Sequence, residues 1–122
     1  MSRTSKGQPD PEGFLPLNNM DFLVLAVLMD GERHGYGIVK DIAARTNGRV
    51  ALRPGNLYRV VDRLMDRRLV EAGERKEAEG PSGPRRHFRI TALGRKVAAA
   101  HAALLSDVME ASPVLKTASR LA

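Results

Sequence analysis

Residues 52–71 read LRPGNLYRVVDRLMDRRLVE, and this stretch decides the fold. Pro54 fixes φ near the value that a first helical turn needs, and its missing N–H costs nothing there. After it, Leu57, Val60, Val61, Leu64 and Arg68 share one helical face, four of the five apolar. The opposite face carries Gly55, Arg59, Asp62, Arg63 and Asp66, with Asn56 and Tyr58 at its edges. One side is therefore a core stripe. The other begins with a bare glycine, an amide, a phenol and two guanidiniums. Arg and Asn suit the guanine and adenine edges of the major groove, and a tyrosine hydroxyl can reach a phosphate. The plainer reading is a surface helix whose Arg and Asp residues pair along its outer face.

Working outward, the segment before Pro54 supplies the first half of a helix pair. Arg49 to Leu52 is short and extended, with Val50 and Leu52 alternating inward. Upstream, Tyr36 to Arg45 keeps helical spacing through Ile38, Ile42 and Ala43 and stops at Asn47-Gly48. Two helices joined by a short connector, the second basic, match a helix-turn-helix. The turn before them, GERHGYG over 31–37, holds His34. The other two histidines, His87 and His101, stand at no metal-binding spacing from it, so a structural hydrogen bond at a helix start is the better reading than a ligand.

A first helix is expected from Leu17 or Asn18, with Asn19 as N-cap. Its run FLVLAVLM is apolar on nearly every side and needs cover all round, for which a second subunit is a natural source. Residues 1–13 lack the apolar content to order themselves and are expected to be a flexible tail.

Downstream of Leu69, two short strands flank the Gly/Pro-rich segment 79–84, which predicts a β-hairpin. Its stem holds Lys76, Arg85 and Arg86, so it reads as a wing beside DNA. Glu71, Glu74, Glu77 and Glu79 support the competing view of a solvated hairpin whose charges cancel. Thr91 then caps a last helix. Apolar residues recur at Leu93, Val97, Ala100, Leu104, Val108 and Ala111, the 3–4 spacing of a helix that packs along another. Little of so small a domain is left to cover it, so it is expected to be a dimer arm ending at Ser112-Pro113; a helix folded back on its own core is the alternative. The tail after it forms a further turn or frays.

Composition sets the remaining bounds. One domain fits 122 residues, and a net charge of +6 with a pI of about 10.3 favours a polyanionic partner. No cysteine is present, which excludes disulfides, thiolate metal sites and Cys nucleophiles. The opening MSRTSKGQPD has no secretory h-region, and the apolar run 22–29 is too short for a membrane span, so a cytoplasmic protein is expected. Nothing in the chain assembles a catalytic set or a phosphate loop; no enzyme, metal or cofactor is implied.

Several of these residues together resemble the PadR family of bacterial transcriptional regulators, specifically its short members. The marks are Leu28 through the turn to His34-Gly35-Tyr36-Gly37, Pro54-Gly55-Asn56-Leu57-Tyr58, Arg63-Leu64, Leu69-Val70-Glu71, Arg85-Arg86-His87-Phe88 and Thr91-Ala92-Leu93-Gly94. The resemblance spans roughly residues 15–109. It implies a mainly α winged helix-turn-helix (α1-α2-α3-β1-β2-α4) that dimerises through its first and last helices and represses promoters at inverted repeats. It also implies that the helix from Pro54 enters the major groove. Departures are Arg53 where relatives often have Ser, Asn56 where they have Thr, and Arg68 where a glycine is usual. Some relatives stack planar drugs between tryptophans; with no Trp in this chain, that site does not exist here in that form.

The expected division is 1–13 flexible tail, 14–91 DNA-binding domain, 92–112 dimerisation helix and 113–122 C-terminal tail. On DNA, Asn56, Arg59 and Arg63 read or orient, Tyr58, Lys40 and Arg53 hold phosphates, and Lys76, Arg85 and Arg86 serve the wing. Tyr36 and Gly55 complete that surface, while Phe22, Leu25, Leu93, Val97, Leu104 and Val108 form the dimer interface. The expected partners are double-stranded promoter DNA, a second copy of the chain and a small-molecule effector of unknown identity, with no membrane. The alternative is a winged-helix protein-interaction module without DNA binding, for which Asp62 and Asp66 speak slightly.

Overall fold

Pro54 opens a helix as its ring predicts. The computed structural model describes residues 9–73 and 86–122. In chain order it contains a short 3-10 helix (Pro11–Phe14), α1 (Asn19–Met29), β1 (Arg33–His34), α2 (Gly35–Arg45), α3 (Pro54–Asp66), β2 (Val70–Ala72), β3 (His87–Ile90), α4 (Ala92–Glu110) and α5 (Pro113–Leu121). The three strands form an antiparallel sheet in the order β1-β3-β2. Val70 faces Ile90, Glu71 faces Arg89 and Ala72 faces Phe88; on the other side of β3, His34 pairs with His87.

Each helix boundary has a local cause. Asn18, rather than the expected Asn19, caps α1: its side chain accepts the Asp21 N–H at 2.8 Å. At the end of α2, Asn47 takes φ 54° and Gly48 φ 77°, and the Gly48 N–H reaches the Ala43 carbonyl at 2.7 Å. The same motif ends α3. Arg68 takes φ 66°, the Leu69 N–H donates to Leu64 O at 2.9 Å and the Arg68 N–H to Met65 O at 3.0 Å. The position where the family resemblance leads one to expect glycine therefore takes the left-handed conformation, and here an arginine adopts it. Thr91 caps α4 by accepting the Gly94 N–H at 2.9 Å, while its hydroxyl donates to Arg68 O at 2.8 Å. One side chain thus ties the start of α4 to the end of α3.

The core gathers Val24, Leu25, Val27 and Leu28 of α1, Ile38 and Ile42 of α2, Leu57, Val60, Val61 and Leu64 of α3, and Leu69, Val70, Phe88, Ile90, Val97 and Ala98. Burying each large apolar side chain contributes about 1.5–3 kcal/mol. His101 on α4 is also buried; its Nδ1 accepts the Leu17 N–H at 3.2 Å and its ring lies 4.8 Å from that of Phe22. This fastens the N-terminal segment onto α4.

Four further expectations change. A third strand, β1, occupies the segment expected as a plain turn; at two residues it is too short to leave a periodic signal. Order begins before residue 14, since Pro11–Phe14 is helical and Phe14 packs on the core. Residues 113–121, expected as a tail, form α5. Finally, Leu25 and Val97 are fully buried by their own protomer, so neither is available to a partner chain. Of the other interface candidates, Phe22 and Leu93 are half-buried, and Leu104 and Val108 are 36% and 47% exposed. Among the described residues, no helix is long and apolar enough to cross a membrane.

Candidate nucleic-acid interface

The apolar stripe of α3 fixes which side of that helix faces out. Leu57, Val60, Val61 and Leu64 point into the core, leaving Arg53, Gly55, Asn56, Arg59, Asp62, Arg63 and Asp66 exposed. Arg53 sits at the N-cap without a side-chain capping bond, so no side chain closes the first-turn amides. Nothing lies within 4 Å of where a β-carbon on Gly55 would stand, which leaves the backbone there open to close approach.

Along this face the arginines divide. Arg53, Asn56 and Arg59 have no ion pair or side-chain hydrogen bond among the described residues. Arg63, expected to read bases, is instead bound to the Asp21 carboxylate at the start of α1, and Arg67 Nη1 lies 3.6 Å from the other oxygen of that group. The reason is proximity in space: α1 packs against α3 and brings a buried carboxylate to the helix's second half. The Arg67 guanidinium also lies over the Phe14 ring, 5.1 Å from its centroid.

Tyr58, expected to reach a phosphate, also makes contacts inside the protomer. It is half-buried, its ring meets Phe88 edge-on at 6.1 Å, and its hydroxyl fills the space beside Gly35. A β-carbon on Gly35 would stand 2.5 Å from that oxygen. Glycine at the first position of α2 is thus what lets α2 and α3 close together there. The Arg86 guanidinium covers both rings, 5.0 Å from Phe88 and 5.9 Å from Tyr58. Arg86 is exposed and stands at the root of the wing, adjacent to α3. Lys76 and Arg85 lie outside the described residues. On the strands themselves, Arg89 pairs with Glu71 at 2.7 Å, so that wing cation is neutralised, as the cancelling-charge view expects.

The N-terminal end of α2 completes the surface. His34 Nδ1 accepts the Gly37 N–H at 3.1 Å, a structural role as expected. Its ring stacks on Tyr36 at 6.4 Å, and Lys40 Nζ lies 5.5 Å from the Tyr36 ring. Tyr36 is 59% exposed and Lys40 is exposed too. With Arg33, Gly37 and Asp41 they line an open pocket of about 330 Å³, in which Arg33 and Asp41 pair at 3.2 Å. The arrangement offers cations, a phenol and open backbone to an extended anion. Among the described residues, no group of three or more His, Asp or Glu side chains converges to hold a metal.

Asp21 had no signature in the sequence. An acid in the first turn of a helix is ordinary, because it suits the helix dipole. Its arginine partners lie 42 and 46 residues further along, and only the fold brings them together.

Comparisons place this geometry. Residues 24–100 match the model of the transcriptional regulator PadR-like family. An uncharacterized protein X from Lysinibacillus sphaericus is 32% identical over 77 residues, covering 63% of this chain and 69% of that one. A PadR family transcriptional regulator from Eggerthella lenta is similar in structure at a TM-score of 0.62 and 25% identity, over 86% of this chain and 83% of its own. Bacillus subtilis PadR, solved in complex with operator DNA, shares the fold at a TM-score of 0.58 and 18% identity; the match covers 69% of this chain and 45% of that one. With the family model matched from α1 into α4, this chain belongs to the PadR-like family of transcriptional regulators.

Proposed function

We propose that this regulator is a homodimeric repressor that binds double-stranded promoter DNA at an inverted repeat. The observation that carries the reading is the state of α3. Its N-cap presents Arg53 and its first two turns present Asn56 and Arg59, all with no partner among the described residues, on a helix whose other face is wholly core. In helix-turn-helix proteins those turns meet base edges. Tyr36 and Lys40 on α2 and Arg86 at the wing root flank the helix as phosphate contacts. The operator complex of the Bacillus subtilis relative, which shares the fold, supports the same partner.

The dimer part rests on α4. Its first half packs on its own protomer through Val97, Ala98 and His101. Beyond His101 it runs out exposed, carrying Leu104, Leu105 and Val108 at 36%, 43% and 47% exposure. Apolar side chains in that number on a projecting helix call for a second chain. The rival reading, a protein-interaction module, draws on Asp62 and Asp66, exposed on the same helix. The separating experiment selects duplexes from random DNA and titrates them across a salt series. Selection of a two-fold motif with salt-dependent affinity supports the repressor; no enrichment and no salt dependence would leave the interaction module.

A further inference from the structure

Asp21 is 1% exposed, although it carries a charge and stands only three residues into α1. Its backbone N–H is held by Asn18, and its two oxygens are divided between Arg63 of α3 and Arg67 at the C-cap of that helix. Arg63 donates to Oδ1, and Arg67 lies 3.6 Å from Oδ2. The arginines are four residues apart on one helical side, so a single carboxylate engages both. Burying a carboxylate is costly unless it is paired, so the pairing is persistent. The arginine side chains nevertheless remain 45% and 37% exposed. They stand on the outer side of α3 and at its C-cap, partly in water, with their charge already occupied.

We propose that Asp21 is a specificity-determining residue: by holding Arg63 and Arg67 it withholds two cations from the DNA backbone. The inference rests on the DNA-binding reading above. A guanidinium is well shaped for phosphate and grips it whatever the sequence. Such contacts strengthen operator and random DNA alike. The useful quantity is the ratio between the two, set against a vast excess of random sites. A chain with net charge +6 already has ample attraction for any duplex. Occupying Arg63 and Arg67 internally keeps that attraction down and leaves discrimination to Asn56 and Arg59.

The test compares wild type with Asp21→Asn, which keeps the size of the side chain and removes its charge. Binding is measured to poly(dI-dC) and to a duplex selected from random DNA by the wild-type protein, between about 50 and 200 mM salt. The expected result is tighter binding to poly(dI-dC). Its log–log salt slope should steepen by about 0.9 for each arginine that reaches a phosphate, and the preference for the selected duplex should fall by roughly tenfold. A lower melting temperature with slope and preference unmoved would make Asp21 a structural clamp alone and overturn the proposal. Arg63→Gln gives a second, independent arm. In the otherwise unaltered protein it should leave the poly(dI-dC) slope unchanged, and in the Asp21→Asn background it should reverse part of the steepening. Should Asp21→Asn not fold, the single Arg63→Gln variant decides: a shallower slope means that Arg63 already touches phosphate and defeats the idea. Wild-type protein with no salt-dependent binding to either duplex would defeat the DNA-binding reading itself, and this inference with it.

Discussion

A β-carbon on Gly94 would overlap the carbonyl oxygen of Leu69, so α4 and the turn leaving α3 touch backbone to backbone. The same β-carbon would stand 2.7 Å from Ile90 Cγ1. Gly94→Ala should therefore destabilise the fold by about 1–3 kcal/mol, towards the upper end because the obstacle is main chain. Gly55→Ala is the control, with open space at its β-carbon; inside a helix it should gain about 0.5–1 kcal/mol. Urea melts of the two variants check this, and equal stability of Gly94→Ala and wild type would contradict the contact.

Arg68 stands at φ 66°, where an L side chain is strained by about 1–2 kcal/mol. Glycine removes that strain but loses more entropy on folding, about 0.5–1 kcal/mol. Arg68→Gly should raise stability by a net of roughly 0.5–1 kcal/mol by the same two terms. A destabilised variant would mean that the Arg68 side chain contributes more than its backbone costs.

Arg59 is the residue on which proposed base reading depends most. Arg59→Ala should weaken binding to the selected operator by about 1–3 kcal/mol and relax one position per half-site. Equal losses on operator and random DNA would reduce it to a phosphate contact.

Leu104 probes the dimer. It is 36% exposed on the projecting part of α4, so an arginine there is tolerated by the protomer and not by an apolar seam. Leu104→Arg should give a folded monomer whose operator affinity drops to the non-specific level, because two recognition helices must sit about 34 Å apart to engage both half-sites. Light scattering and titration against whole and half operators decide the matter. A folded monomer with wild-type affinity for the whole operator would end the dimer mechanism.

Asp30 supplies a pH test. The hydrogen bond from Arg45, and then that residue's charge, hold its carboxyl below the usual 3.8. A depressed folded pKa contributes stability above the unfolded pKa, and that contribution fades as the pH falls through the folded value. Both partners are exposed, so the effect is small. Asp30→Asn should be slightly less stable than wild type near neutrality, and the two should converge by about pH 2. A gap that persists in acid would exclude the ion pair as its source.

What could be read in the sequence was what a periodic pattern or a local cap encodes. The stripe from Leu57 to Leu64, the Asn47-Gly48 stop, the Thr91 cap and the structural role of His34 are all decided within a few residues of themselves. What could not be read depends on distant neighbours. Periodicity gives α4 an apolar seam but does not say that Val97 is covered by its own chain while Leu104 and Val108 are not. The Tyr58 hydroxyl turns towards Gly35 only because α3 packs on α2 there, with Phe88 of β3 against its ring. Arg63 looks identical to Arg59 in the sequence, and only a carboxylate 42 residues away separates their fates.

The residues proposed to read DNA and those that hold the helix in place are different ones. Asn56 and Arg59 are exposed, and the core rests on Leu57, Val60, Val61 and Leu64 of the same helix. On the proposed reading, a duplicated copy of this gene acquires a new operator by exchanging two side chains, with its folding left intact. Asp21 would be inherited unchanged alongside them, muting the same two cations whatever address the new pair spelled.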